Sequence, residues 1–247
     1  MNEIGIIGLG RFGKVLVNIL QKGFSIYGYD IGNIGYVPGV TVCELEKVLK
    51  QKVIFIAVPI RSFKSLIQLI APKLRSDTTL IDVCSVKTYP VQIMKENLNK
   101  NIGIIATHPM FGPDSFQTNN KLKMMMNKVN DPNNQFDVWK EFFENQRIKI
   151  IEMSPDDHDK MAAQSQGVTH FLGRMLKQFG IDKTSIDTQG FKDLLDLVDQ
   201  TCNDTWELYT DLQLFNPYTM DVISRLKSST EQLHQQLEEY DLSLIHI

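Results

Sequence analysis

Two apolar runs end on side chains able to exchange protons. In "IGIIATHPMFGPDSF" the run 102–107 meets His108 ahead of a proline, and in "TTLIDVCSVK" the run 78–83 leads to Ser85. A chain that only has to turn needs Gly and Pro, so the imidazole asks for another explanation. A histidine and a hydroxyl at two strand ends suit removal of a proton from an alcohol while hydride leaves its carbon. The plainer alternatives are a turn histidine kept extended by Pro109 and a serine capping a helix that begins near Lys87.

A hydride needs an acceptor, and the first residues offer a place for one. Gly8, Gly10 and Gly13 in "IGIIGLGRFGKVLVNIL" keep the G-x-G-x-x-G spacing. In that motif the glycines serve a tight turn, close backbone approach to a pyrophosphate, and close helix–strand packing. The pattern is weak alone, but here an apolar strand precedes it and an amphipathic helix follows. That helix would aim its N–H groups and positive dipole end at phosphate. Leu9, Arg11 and Phe12 complete the turn, and Val58 and Pro59 at the end of a later apolar run are assigned to the same cofactor. Arg11 could lie over the pyrophosphate or be solvated. Asp30 stands 22 residues after Gly8, where a carboxylate accepts from ribose hydroxyls and repels a 2′-phosphate. NAD is therefore expected over NADP. The alternative for Asp30 is a surface aspartate capping the turn before Gly32.

The elements that must position these residues follow from hydropathy. Segments 3–9, 25–30, 52–58, 78–83, 102–107, 123–129 and 148–153 read as strands, and 13–23, 63–74 and 137–146 as helices. Unbroken apolar strands alternating with helices predict a parallel α/β sheet buried on both faces. From residue 154 the strands stop, and helical spacing continues to a last helix ending near Tyr240. The expected architecture is a Rossmann-like dinucleotide-binding domain over 1–153 followed by an all-helical substrate and dimerisation domain over 154–247.

Composition narrows the class. A net charge of −3 leaves no electrostatic footprint for nucleic acid or an anionic membrane. The three cysteines, Cys43, Cys84 and Cys202, form neither a metal-ligand cluster nor a disulfide framework. No metal site is expected. The N-terminus lacks a basic stretch followed by an apolar core, and no apolar run spans a bilayer. The expected location is the cytoplasm.

Together, "THPMFGPDS", "DVCSVK" and "HDKMAAQSQGVTHFLGR" resemble the prephenate/arogenate dehydrogenase family, and "GFKDLLDLVDQTCNDTWELYTDLQLFN" is similar to plant-type arogenate dehydrogenases. The resemblance implies oxidative decarboxylation of a cyclohexadienyl acid, giving 4-hydroxyphenylpyruvate from prephenate or tyrosine from arogenate. By the same resemblance His108 takes or polarises the ring hydroxyl proton, Ser85 bonds that hydroxyl and helps orient His108, and the chain is a homodimer.

Some positions depart from the family pattern. Gln166 replaces the first histidine of a Ser-His-x-x-His motif, and His170 sits one residue past the second. Both are kept as substrate-binding candidates. His158 reads as an exposed residue in a first helical turn. The arginine that many relatives carry after a "GFKD"-like segment is missing, Asp196 or a leucine standing there, so Arg174, Arg225 and a group of a partner subunit become candidates for a substrate carboxylate. Either arginine could be a surface charge. Phe116 stands where glycine is common. Asp204 in "TCNDTWELY" could meet the ammonium of arogenate, or be an exposed helix acid. Competing readings are another Rossmann-plus-helical dehydrogenase, acting on a hydroxy acid or imine, and a catalytically silent dinucleotide-binding regulator.

Overall fold

The computed structural model describes residues 3–32, 34–116 and 121–240. Eight strands form one sheet in the order β3-β2-β1-β4-β5-β6-β7-β8. They are β1 (Glu3–Ile7), β2 (Ser25–Tyr29), β3 (Thr41–Val42), β4 (Val53–Ile56), β5 (Thr79–Asp82), β6 (Gly103–Pro109), β7 (Lys123–Asn130) and β8 (Lys149–Glu152). Helices α1 (Arg11–Leu20), α2 (Leu45–Val48), α3 (Ile60–Ile70), α4 (Thr88–Asn97), α5 (Pro113–Phe116) and α6 (Phe136–Asn145) connect them.

The sheet departs from the parallel expectation at one pair. β6 and β7 run antiparallel, with His108 opposite Met125 and Pro109 opposite Met124. Parallel neighbours are joined through a crossover, usually a helix, whereas among its described residues the segment between these strands holds the single turn of α5. Pairing with β7 also extends β6 two residues beyond the apolar run. His108 thus lies within a strand rather than after it.

One face of the sheet packs on an aromatic cluster. Trp139 and Phe143 of α6 are buried against Phe55, with the Phe55 and Trp139 ring centroids 4.8 Å apart. Phe24 stacks on Trp139 at 4.9 Å. In the polar stretch before α6, Asp131 accepts from the backbone N–H of Gln135 and Phe136, which makes it the cap of that helix.

The chain divides into two compact units, Met1–Asp159 and Lys160–Ile247. The division lies six residues later than the change in sequence pattern (159 − 153), inside α7 (Pro155–Ala162). The first turns of α7 belong with the sheet because Asp159 is bonded to residues before and in α4.

The second unit is helical. A π-helical segment (Ala163–Gly167) leads into α8 (Val168–Phe179), followed by α9 (Gln189–Cys202), α10 (Trp206–Leu214) and α11 (Thr219–Glu238). Gly173 lets α9 approach α8: a Cβ there would stand 1.9 Å from Thr201 Oγ1. Gly180 ends α8 at φ 87°, a left-handed conformation suited to glycine. The last seven residues of the predicted helical domain, 241–247, lie outside the described residues.

Candidate active site

Strand register aligns the chemistry-bearing residues. Ile7, Ile56, Asp82 and Ala106 pair in one row across β1, β4, β5 and β6. Two residues further on stand Leu9, Val58, Cys84 and His108, at the carboxyl edge where open α/β sheets bind ligands.

The glycine turn occupies the β1 corner of that edge. Gly8 has φ 100°, and a Cβ there would meet Ala57 O at 2.3 Å. A Cβ on Gly13 would stand 2.2 Å from Gly8 O, whereas one on Gly10 would meet nothing within 4 Å. Two glycines are thus required by the protein's own packing, and the third keeps a space open. Gly10 is also the N-cap of α1 and no side chain caps the helix, so its opening turn presents backbone N–H groups there. Asp30, after β2, accepts from Leu9 N–H at 2.7 Å and Gly32 N–H at 2.8 Å. The carboxylate caps the turn before Gly32, as the alternative reading had it, and also ties down the glycine turn. An open glycine, an uncapped helix start and an acid at the second strand end fit a dinucleotide. Arg11 is exposed, Phe12 packs near Phe111 at 6.2 Å, and Val58 and Pro59 lead into α3, whose N-cap is Pro59.

At the β6 end a buried polar chain appears. His108 Nδ1 and His158 Nε2 lie 2.8 Å apart, and His158 Nδ1 lies 2.8 Å from Asp159 Oδ1. His108 is 5% exposed, His158 2% and Asp159 0%, so water cannot substitute for these bonds. Asp159 Oδ1 also accepts from Lys87 N–H, while Oδ2 accepts from Thr88 N–H and the Thr88 hydroxyl. Below them the fully buried Lys87 ammonium donates to Asp82 and to the Thr107 carbonyl.

The electrostatics follow from this packing. Burial holds the His108 imidazole well below its ordinary value, helped by His158 and the Lys87 ammonium. Burial alone would raise the Asp159 carboxyl, but the bonds from His158, Thr88 and the backbone outweigh it and keep it low. Burial pushes Asp82 upward against the pull of Lys87. At neutral pH the arrangement is a neutral His108 resting on a histidine and an ionised carboxylate.

Ser85 is half-buried in the loop after β5. It neither caps α4 nor bonds His108: Asp159 caps the helix, and His158 bonds the imidazole. The expectation that His158 is exposed is overturned, because α7 packs its first turns onto the sheet edge. Lys87 and Asp159 were not recognised in the sequence. The "HDK" triplet contained the signal, but nothing local tells which face of α7 is covered.

In the helical unit, Gln166, His170 and Arg174 follow one another at four-residue spacing along the π segment and α8, all half-buried. The Arg174 guanidinium lies 5.3 Å from the Tyr209 ring and 5.9 Å from that of Trp206, and it donates to the Asp204 carbonyl. Asp204 lies in the turn between α9 and α10 and is half-buried, not an exposed helix acid. Burial lowers the His170 imidazole, opposed by Asp204 and aided by Arg174. Among the described residues, His170 Nδ1 and Arg174 Nε are buried without a hydrogen-bond partner. Arg225 is a surface charge paired with Asp221 at 3.2 Å along α11. Phe116 stacks near Phe111 at 5.9 Å. Among the described residues no cluster could hold a metal, and no helix is long and apolar enough to cross a membrane.

Comparison with known proteins places this site in context. A family model described as "Prephenate dehydrogenase, nucleotide-binding domain" matches residues 21–152, and one described as "TYRAAT1-like, C-terminal domain" matches residues 175–244. Arogenate dehydrogenase 2, chloroplastic, of Arabidopsis thaliana is 32% identical over 253 residues, covering 95% of this chain and 70% of that protein. Arogenate dehydrogenase 1, chloroplastic, of the same plant is 31% identical over 249 residues; this chain is covered to 95% but spans only 39% of that relative. The crystal structure of prephenate dehydrogenase from A. aeolicus with hydroxyphenyl propionate and NAD+ has the same fold, with a TM-score of 0.75 at 21% identity over 96% of this chain and 91% of that one.

Proposed function

The chain belongs to the prephenate dehydrogenase family, and on that premise we propose that it oxidatively decarboxylates arogenate or prephenate, with hydride passing to NAD, in the route to tyrosine. The observation that carries this reading is a buried, neutral His108 on the same sheet edge as the glycine turn. A base poised beside a dinucleotide cradle is what oxidation of an alcohol requires.

The residues divide the work. Gly8, Leu9, Gly10, Arg11, Phe12 and Gly13 would hold the pyrophosphate at the start of α1, Asp30 would accept from the adenosine ribose, and Val58 and Pro59 would flank the nicotinamide half. When bound, the dinucleotide supplies the hydride acceptor. Asp30 favours NAD, since its carboxylate would repel a 2′-phosphate. His108 takes the proton of the ring hydroxyl, and Ser85 from the adjacent strand end bonds the same oxygen. Loss of carbon dioxide then completes an aromatic ring, which drives the step forward.

For the rest of the substrate, the helical unit offers suitable groups. The orphaned Nε of Arg174 and Nδ1 of His170 would be satisfied by a carboxylate. Gln166 adds a neutral hydrogen-bonding group one turn earlier. Asp204 would meet an ammonium, which favours arogenate over the keto acid. Initial rates with arogenate and prephenate, each with NAD and NADP, test the reading. Turnover of either acid, faster with NAD, supports it. A folded protein that binds NAD and oxidises neither acid would overturn it.

A further inference from the structure

We propose that His158, backed by Asp159, is the positioning residue for His108: it sets which ring nitrogen carries the proton and shares the charge the ring acquires. The inference rests on His108 being the base of the proposed reaction and identifies what makes it one.

The assignment follows from one end of the chain to the other. Asp159 accepts from Lys87 N–H, Thr88 N–H and the Thr88 hydroxyl, so it is an anchored carboxylate with only acceptor capacity. His158 Nδ1, 2.8 Å from Asp159 Oδ1, must therefore be the donor. In the neutral ring that leaves a lone pair on His158 Nε2. The atom 2.8 Å away, His108 Nδ1, must then carry the hydrogen of that bond. A neutral imidazole has one N–H, so the lone pair of His108 falls on Nε2.

That lone pair is the base. As the substrate O–H bond breaks, an Nε2–H bond forms, and the electron pair left on oxygen closes the carbonyl while hydride leaves the carbon for the dinucleotide. The new positive charge is shared along the Nδ1–H bond with His158, beside the Asp159 carboxylate. The other charged groups near His108 are Lys87, whose ammonium opposes this charge, and Asp82, which is paired to Lys87. His158 is thus the group that selects the reactive tautomer. Fixing it is worth orders of magnitude in a comparable triad.

The test is nitrogen NMR of the intact chain with 15N-labelled histidine, alongside His158→Phe and His158→Gln variants. The unmodified protein should show His108 protonated at Nδ1 and bare at Nε2. His158→Phe fills the space without an acceptor. It should lower kcat roughly 10²-fold, with KM and NAD affinity (by calorimetry) nearly unchanged. His158→Gln offers a side-chain oxygen to the same N–H and should recover most of kcat. An Nε2-protonated His108 in the unmodified protein would overturn the inference. So would variants that keep the original tautomer and kcat. If the Phe variant does not fold, the NMR of the unmodified chain and the Gln variant still decide. The tautomer readout needs no substrate, so its failure is distinguishable from failure of the proposed reaction.

Discussion

On the proposed reading, His108 would owe its reactivity to burial and bonding together. Exposed, an imidazole would be partly protonated near neutrality. Here burial first, then His158 and Lys87, keep it unprotonated and ready to accept. Truncation to alanine should lower kcat by about 10²–10⁴-fold with little change in NAD affinity, measured by steady-state kinetics and calorimetry. The depressed imidazoles also have a thermodynamic consequence. His108 and His170 lie below the ordinary value of 6.5 when folded. As pH falls through that value the unfolded chain takes up protons that the fold resists. Stability should be independent of these two groups above that pH and decline below it, while Asp82, raised, works in the opposite sense in the carboxylate range. Urea midpoints compared from slightly alkaline to mildly acidic pH check the sign. Asp30 ties down the glycine turn and, on the proposed reading, would also accept from the ribose, so its removal is read as a ratio. Asp30→Ser should weaken binding of both dinucleotides by loosening the Leu9 bond, while narrowing the preference for NAD over NADP in kcat/KM.

The glycine turn separates folding from binding within one loop. Gly8 and Gly13 are held by the protein's own backbone, at 2.3 Å and 2.2 Å from the nearest carbonyl oxygens for an added Cβ, while Gly10 faces open space. Gly8→Ala adds backbone strain of about 1–3 kcal/mol, and Gly13→Ala would push α1 off the turn. Both should lower the melting temperature by several degrees. Gly10→Ala should leave the melting temperature nearly unchanged and still weaken NAD binding. Paired thermal melts and calorimetry on the three variants test this. Equal losses of stability would mean that the loop serves the fold alone. α4 and α7 illustrate a different dependence: the cap of α4 is Asp159, 71 residues from Thr88, so the His108–His158 pair and the helix start share one anchor.

The helical unit leaves large apolar side chains in the open. Trp206, Leu214, Met220, Leu233 and Leu237 are all more than half exposed, more than a helical unit of this size is expected to leave to water unless a second copy covers them. The chain should therefore be a homodimer through this unit, and light scattering at micromolar concentration should report twice the mass of 28.3 kDa. Leu214→Asp and Met220→Asp should shift the equilibrium toward monomer while keeping the helical circular dichroism. A monomer in the unmodified protein would refute the assembly.

Much of this organisation was legible in the chain because it is local. The strand–glycine–helix beginning, the acid at the second strand end and the loss of strands after 153 follow from short-range periodicity and the steric demands of glycine. The histidine near a strand end was legible too, although the apolar run put it after the strand and pairing with β7 places it within. Three features depended on distant segments meeting. The reversal at β7 shows only in its antiparallel pairing with β6. His158, not Ser85, is bonded to His108, because α7 packs its first turns onto the sheet edge. Lys87 was buried on Asp82 and Thr107, although a lysine is ordinarily placed in water. Periodicity tells which side of a helix is apolar, but a polar residue buried by a partner 50 residues away leaves no periodic trace. Its environment exists only once the sheet edge, the start of α4 and the first turns of α7 have come together.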